Sequence, residues 1–228
     1  SQQVVEKDKD GTVTTTTTDK TGNKTETVEK TDGTSQTTVT NKDGSGSVTS
    51  VAESGQVETE VKLPAAVVGG AAEKEEAVAL PMPNVPVTSD RENAPTVTVD
   101  LPSGTSAKVE IPVKGVTAGT VAVLVKADGT QEVLKDSLAT EKGITVTLSD
   151  GDTVKIVDNA KTFADVSDGY WAADAIDFTT SREIFAGTSD TTFAPGGTMT
   201  RAMIWTVLAR YEGTDTTATD GQNWYTPG

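Results

Sequence analysis

Glycine recurs at an interval of eleven residues in the first part of this chain, at positions 11, 22, 33, 44 and 55. Most of these glycines close a turn-like segment of four residues, as in 8–11 and 41–44. Asp and Asn side chains hydrogen-bond to the backbone two residues further on, and Gly accepts the left-handed conformation that ends such a turn. The period therefore predicts a series of tight turns separated by short segments of equal length.

The segments between the turns are rich in Thr and Val, which favour β-strands. They span 12–18, 25–29, 34–40 and 47–52. Strands of this kind, connected by turns with a Gly bulge, predict a β-meander. Both faces of such a sheet would be polar, so it would gain little from burial. Residues 1–60 are therefore expected to be either a thin ordered stalk or a disordered, flexible Thr-rich tether.

Two further regions follow the repeats. Residues 61–95 contain five prolines, which interrupt regular structure, and are predicted to be a Pro/Ala/Glu linker. Residues 96–160 alternate apolar and polar side chains, as at Val109, Ile111 and Val113, with Asp-Gly pairs placed as hairpin turns. This pattern predicts a small antiparallel β-sandwich that serves as a spacer.

The composition excludes several kinds of chemistry. Cysteine and histidine are both absent, so disulfides, thiol catalysis and Ser-His-Asp hydrolysis cannot occur within the chain. The 8–11 segment lacks the oxygen ligands of a calcium loop and is interpreted as a turn, so no metal site is predicted. The acidic residues lie in turns and on strand faces rather than across a cleft, so we predict no catalytic residue, no enzyme activity and no cofactor.

The charge of the chain limits its partners. The formal net charge is −15, and no basic patch offsets it, so nucleic acid is not an expected partner. Spread negative charge also disfavours anionic membranes. No apolar segment is long enough for insertion into a membrane.

The last quarter of the chain predicts two short helices. Ala172, Ala175, Ile176 and Thr179 follow the spacing of a buried helical stripe. Thr200 is a suitable N-cap for a second helix that is expected to end near Arg210. That second helix is apolar on nearly all sides, which requires packing partners on all sides. One preceding helix cannot supply them, so further helices are expected as partners.

One spaced series of residues spans both predicted helices. It reads Phe163-x-Asp165-Val166, Tyr170-Trp171-Ala172, Ala175-Ile176, Ile184-x-x-Gly187, Phe193-x-Pro195, Thr200-Arg201-Ala202 and Leu208-x-Arg210. This series resembles the S-layer homology domain, a helix-loop-helix repeat that attaches bacterial surface proteins to wall polysaccharide. The resemblance covers residues 163–212. Residues 213–228 look like a linker and the truncated start of a second copy.

The resemblance implies a binding site. Such domains usually occur as three tandem copies, with grooves between copies that bind an anionic, often pyruvylated, polysaccharide. Thr200 and Arg201 match the motif that supplies the ligand-binding arginine, and a guanidinium suits a carboxylate. Asp165, Trp171 and Gly187 match positions near the groove. From the residues alone, Asp165 is equally a cap or turn residue, Trp171 a core residue and Gly187 a helix C-cap.

The sequence departs from the family pattern at one position. Met203 stands where the family usually has Glu, which would complete a capping box with Thr200. Methionine is therefore expected to remove the reciprocal hydrogen bond and to weaken the start of the second helix.

Three functions remain open at this stage. The first is non-covalent anchoring of a secreted, extracellular protein to the cell wall of a Gram-positive bacterium. The second is a structural role as a self-assembling subunit of a surface lattice. The third is the anchor region of a wall-attached, polysaccharide-degrading enzyme whose catalytic domain lies elsewhere. The expected partners are cell wall polysaccharide and adjacent S-layer homology repeats.

Overall fold

The computed structural model describes residues 1–214. The chain is mainly β, with a helical module toward its C-terminal end. It divides into two compact units, one spanning Ser1–Asn159 and the other beginning at Ala160. Among the described residues, no helix combines the length and hydrophobicity needed to span a bilayer. The predicted start of a second repeat, at 221–228, lies outside the described residues.

The eleven-residue repeats form an ordered meander of six antiparallel strands. The strands are β1 (Gln2–Lys7), β2 (Val13–Thr18), β3 (Lys24–Glu29), β4 (Ser35–Thr40), β5 (Gly46–Val51) and β6 (Val57–Lys62). Every strand has six residues and pairs along its whole length with the next. Of the two alternatives for residues 1–60, the structure therefore shows the ordered sheet.

The turns have the predicted chemistry. In the first turn, Gly11 has φ +90°, and the Asp10 carboxylate accepts a hydrogen bond from the Thr12 N–H at 2.9 Å. Backbone and side-chain hydrogen bonds from Thr12 hold the pKa of Asp10 below its ordinary value. A side chain at Gly22, which has φ +89°, would also collide with Lys42 of the next turn on the same edge. The first two turns are thus specified by their own residues and by the neighbouring turn on the same edge, since a side chain at Gly11 would likewise collide with Thr31.

Hydroxyl groups, rather than apolar side chains, connect the middle strands of the meander. The Thr27 and Thr37 hydroxyls lie 3.1 Å apart, and those of Thr49 and Thr59 lie 2.9 Å apart. Burial increases along the meander: β1 is exposed throughout, whereas Thr59 and Val61 in β6 are buried. The polar sheet is therefore stabilised mainly at the end where it meets the core.

The remaining strands complete two packed sheets. They are β7 (Val78–Ala79), β8 (Val85–Pro86), β9 (Thr96–Asp100), β10 (Ser106–Lys114), β11 (Thr120–Val125), β12 (Gln131–Val133), β13 (Leu138–Ala139), β14 (Gly143–Ser149) and β15 (Thr153–Asp158). One sheet has ten strands in the order β1-β2-β3-β4-β5-β6-β9-β15-β11-β12. The other has five, in the order β13-β14-β10-β7, with β8 also paired to β10. The apolar core between them includes Val97, Val99, Ile111, Ile144 and Ile156, all fully buried.

The repeats and the sandwich share one sheet. Strand β6 pairs with β9 in parallel, with Glu58 beside Thr96 and Lys62 beside Asp100. The boundary expected between a repeat region and a separate sandwich therefore lies inside the ten-stranded sheet. The sandwich is otherwise antiparallel, apart from the short parallel pairings of β7 and β8 with β10.

The region predicted to be a linker contains regular structure. Helix α1 (Ala65–Ala72) begins directly after Pro64, a position where proline is tolerated because the first N–H groups of a helix have no intrahelical partner. Val67, Val68 and Ala71 pack against the core of the sandwich. Strands β7 and β8 follow, and Leu80 is buried. The prolines limit the length of these elements but do not prevent them.

The second unit contains the predicted helix-loop-helix. Helix α2 spans Ala173–Ser181 and helix α3 spans Arg201–Tyr211. Phe163, Ile176 and Ile184 are buried and form its small apolar core. The loop between the helices, residues 182–200, returns to the segment before α2, and this arrangement positions the candidate site.

Candidate functional site

Asp165 connects the segment before α2 to the loop before α3. Its carboxylate accepts hydrogen bonds from the backbone N–H groups of Phe193, at 2.9 Å, and Ala194, at 2.7 Å. The Ala164 N–H donates to the Thr191 carbonyl beside them at 2.8 Å. The bonds from Phe193 and Ala194 hold the pKa of Asp165 below its ordinary value, because they stabilise the ionised form. Asp165 therefore organises a loop distant in sequence, rather than capping α2 or bonding a neighbouring turn.

Gly187 lies where two parts of this loop pack closely. A Cβ atom there would lie 2.5 Å from the carbonyl oxygens of Ser189 and Thr192 and 2.7 Å from the Phe163 ring. The Phe163 ring packs against Phe193, with centroids 5.4 Å apart and planes inclined by 56°. Gly187 does not have a positive φ, so it is not a left-handed helix C-cap. Glycine is needed here because the chain itself leaves no room for a side chain.

Thr200 caps α3 as the sequence predicts. Its hydroxyl accepts a hydrogen bond from the Met203 N–H at 3.2 Å. The expected loss of the reciprocal bond is wrong, because the Met203 sulfur accepts from the Thr200 N–H at 3.5 Å. A thioether is a weak acceptor, so Met203 substitutes for a carboxylate without adding charge.

Arg201 is the first residue of α3 and is exposed. Within residues 1–214, its guanidinium makes no hydrogen bond and no surface ion pair. The first N–H groups of a helix have no intrahelical acceptors, and the helix dipole favours an anion there. Arg201 is thus a solvent-facing cation beside a terminus that attracts negative charge.

Trp171 is at the surface. Its side chain is 88% exposed, and its ring lies 5.8 Å from that of Tyr170 just before α2. Of the two alternatives, a core residue and a groove residue, the core position is therefore excluded. An exposed aromatic ring such as that of Trp171 can stack on the apolar face of a sugar.

A cleft of about 510 Å³ lies between the loop and α3. Its lining includes Gly187, Phe193, Met199, Met203 and Arg210. Of the five residues predicted to bind ligand, only Gly187 lines this cleft. The other four do not: Asp165, Trp171, Thr200 and Arg201. The five residues therefore do not converge on one cavity of the described module.

Helix α3 is apolar and unburied. Met203, Ile204, Trp205, Leu208 and Tyr211 are between 44% and 68% exposed, and no residue of α3 is fully buried. This agrees with the expectation that an apolar helix of this kind requires further partners. We call these five side chains the α3 apolar surface.

The sequence did not identify the buried Arg182. Its side chain has no exposed surface and lies over the Phe178 ring, with the guanidinium carbon 3.8 Å from the ring centroid. It donates to the Phe178 carbonyl at 3.1 Å and the Ser181 hydroxyl at 3.2 Å. Burial lowers the pKa of Arg182 to about 10, against the opposing effect of Asp177, so it remains a cation at neutral pH. The i, i+4 spacing of Phe178 and Arg182 was the available signal.

Residues 162–202 match the family model of the S-layer homology domain. The matched range includes all five residues predicted to bind ligand. Comparison with curated proteins and with solved structures found no match.

Proposed function

We propose that this protein anchors to the cell wall by binding an anionic secondary wall polysaccharide. The chain carries an S-layer homology domain, which marks a surface protein and is generally associated with cell wall or S-layer anchoring. The observation that carries this proposal is Arg201, which is exposed at the start of α3 and has no hydrogen-bond or ion-pair partner among residues 1–214. A guanidinium offers two parallel N–H donors to a carboxylate, such as that of a pyruvylated sugar. The attachment is non-covalent and outside the cell.

The position of Arg201 favours an anion in two ways. The nearby N–H groups of α3 add donors and a favourable dipole. The net charge of −15 repels an anionic glycan from much of the chain, so an exposed cation at the start of a helix favours binding there. The exposed Trp171 ring and the half-buried Tyr170 ring beside it supply a stacking surface, and Asp165 holds the intervening loop in shape.

The α3 apolar surface supports adjacent S-layer homology repeats as partners. Large exposed apolar surfaces on a soluble module indicate contacts with another protein surface. We propose that neighbouring repeats cover α3 and place Arg201 at the border of a groove between copies. Binding by a single repeat is therefore weaker than binding by several.

Cosedimentation with purified Gram-positive cell walls tests this function. The experiment compares the chain with variants Arg201→Ala and Arg201→Lys, and with Lys108→Ala as the control, since Lys108 is an exposed cation on β10. A chain extended by two further S-layer homology repeats is measured alongside. We expect wall binding that is lost when the polysaccharide is stripped, greatly reduced by Arg201→Ala, partly reduced by Arg201→Lys and unchanged by Lys108→Ala. Equal binding by all variants would remove Arg201 from the site, and no binding even by the extended chain would refute anchoring.

A further inference from the structure

A groove of about 560 Å³ lies on one face of the meander, over strands β3 and β4. Its floor contains Thr25, Thr27, Thr37 and Val39. These side chains share a face, because Thr27 is paired with Thr37 and Thr25 with Val39, two residues further along each strand. Residues 80–83, which follow β7, form the wall. We call this site the β3–β4 groove, and it lies inside the sheet, with β2 and β5 on either side.

The wall of the β3–β4 groove is held in place by the rest of the β unit. The Leu80 side chain is buried in the core between the two sheets. The Met82 N–H donates to the Leu80 carbonyl at 2.9 Å, which folds the segment back on itself. The Ser47 hydroxyl of β5 donates to the Pro81 carbonyl at 2.5 Å. Because these contacts attach the wall to both the core and the meander, the groove is formed before any ligand binds.

The floor of the groove offers both hydrogen-bond donors and acceptors. The Thr27 and Thr37 hydroxyls lie 3.1 Å apart, and their mutual bond uses only one of the two hydroxyl hydrogens. Within residues 1–214, the Thr25 hydroxyl makes no hydrogen bond. The Asn41 amide nitrogen donates to the Ser45 hydroxyl at 3.1 Å, and its amide oxygen accepts no bond from the same part of the chain. A ligand in the groove can therefore both accept from and donate to these side chains.

We infer that the β3–β4 groove binds a neutral saccharide. Sugar hydroxyls donate and accept hydrogen bonds, which suits the hydroxyl floor, and the C–H groups of a sugar ring suit a wall of proline and methionine. No residue that lines the groove is charged, although the chain carries a net charge of −15, so nothing there compensates a charged ligand. The backbone groups of β3 and β4 are engaged in ladders on both sides, so an extended peptide cannot add to the sheet here. The site is independent of Arg201 and of anionic glycan.

Nuclear magnetic resonance on the isotope-labelled full chain tests this inference without any substitution. The probes are the N-acetylglucosamine trimer chitotriose, the glucose trimer cellotriose and, as a charged control, trigalacturonic acid. We expect at least one neutral trisaccharide, at millimolar concentration, to shift the backbone amide signals of the floor and of residues 80–83, and the charged trimer to leave them unchanged. The inference is overturned if neither neutral trimer shifts these signals, or if the charged trimer shifts them equally.

Matched variants then test the role of the hydroxyl floor. The double variant Thr27→Val with Thr37→Val removes two hydroxyls while keeping β-branched side chains, and should weaken saccharide binding about tenfold. Thr38→Val is the control, because Thr38 follows Thr37 on β4 and lies on the opposite face. Thr38→Val and Arg201→Ala should bind like the unmodified chain, and circular dichroism checks that each variant is folded.

Three results would contradict a neutral saccharide in this groove. The first is unchanged binding by the folded double variant, and the second is equal weakening by Thr38→Val. The third is tighter binding of a neutral proline-rich peptide than of either trisaccharide, which would assign the groove to a peptide. Loss of binding in Arg201→Ala would instead place the saccharide at the start of α3 and likewise overturn the inference.

Discussion

Replacing Gly187 with alanine should unfold the helical module while leaving the β unit intact. The added methyl group would lie 2.5 Å from two carbonyl oxygens, those of Ser189 and Thr192, and 2.7 Å from the Phe163 ring. Real Cβ atoms do not approach heavy atoms this closely, so the surroundings must move. The two oxygens belong to the backbone of the loop that Asp165 organises, and this loop cannot yield as the end of a long side chain would.

The magnitude follows from these contacts. Adding a methylene to a tightly packed site usually costs about 1–3 kcal/mol, and two rigid backbone contacts favour the upper end, about 3 kcal/mol. Such a loss lowers the folding equilibrium constant by roughly a hundredfold, since every 1.4 kcal/mol is tenfold. Small modules have little stability in reserve. We therefore expect the Gly187→Ala module to be largely unfolded without denaturant.

Tryptophan fluorescence measures this module selectively. Trp171 and Trp205 lie in the helical unit, and Trp224, the third tryptophan of the chain, lies outside the described residues. No tryptophan lies in the β unit, so the change in fluorescence with denaturant does not report on that unit. Circular dichroism of the strands follows the β unit in the same titration. Gly169→Ala is the matched control, because no atom lies within 4 Å of the position its Cβ would occupy. Equal unfolding midpoints for the Gly187 and Gly169 variants would refute the packing argument. Gly187 would then be explained by its predicted position near the ligand-binding groove.

Four further outcomes are expected. Glu183, the second residue after α2, has φ +58° and carries left-handed strain, so Glu183→Gly should raise the stability of the helical unit by about 1 kcal/mol in the fluorescence titration. Ile111→Ala should cost the β unit about 3 kcal/mol by circular dichroism and leave the fluorescence transition unchanged. Thr200→Ala removes the cap of α3 and should lower the free energy of unfolding of the helical unit by about 1 kcal/mol. An unchanged midpoint in the fluorescence titration would contradict this expectation. The pKa of Asp165 lies below its ordinary value of 3.8, so its stabilisation is complete above that pH and is lost as the pH falls through the lowered pKa. The fluorescence-detected acid transition should therefore be weaker in Asp165→Asn, and an identical acid transition would show that the loop does not depend on this carboxylate.

The parts of the fold that were predictable are those specified locally. Each turn of the meander has its own Asp or Asn and its own Gly, so the sequence reveals the turns one at a time. The parallel pairing of β6 with β9 depends on residues 58–62 meeting 96–100, and no local pattern indicates it. Helix α1 was missed because a short run of Ala, Val and Gly after a proline has no clear helical period.

The candidate site shows the same division. The spacing of the motif predicted the two helices and the cap at Thr200, because these depend on neighbouring residues. The bond from Asp165 to the loop at Phe193 and Ala194 joins segments nearly thirty residues apart, and alternation or capping rules cannot predict it. The acceptor role of Met203 does not follow from capping rules, which provide a carboxylate or amide rather than a sulfur atom at this position.

The regularity of the meander gives the chain a mechanical property. Tension applied at the β1 end separates antiparallel neighbours whose hydrogen bonds break one after another, so strands would detach singly, at a force that rises toward the buried strand β6. Each detached repeat of eleven residues lengthens the chain by about 36–40 Å when fully extended. Repeats of equal length arranged in series therefore extend the chain in equal steps. A surface protein built this way lengthens under flow before its core sandwich bears the load.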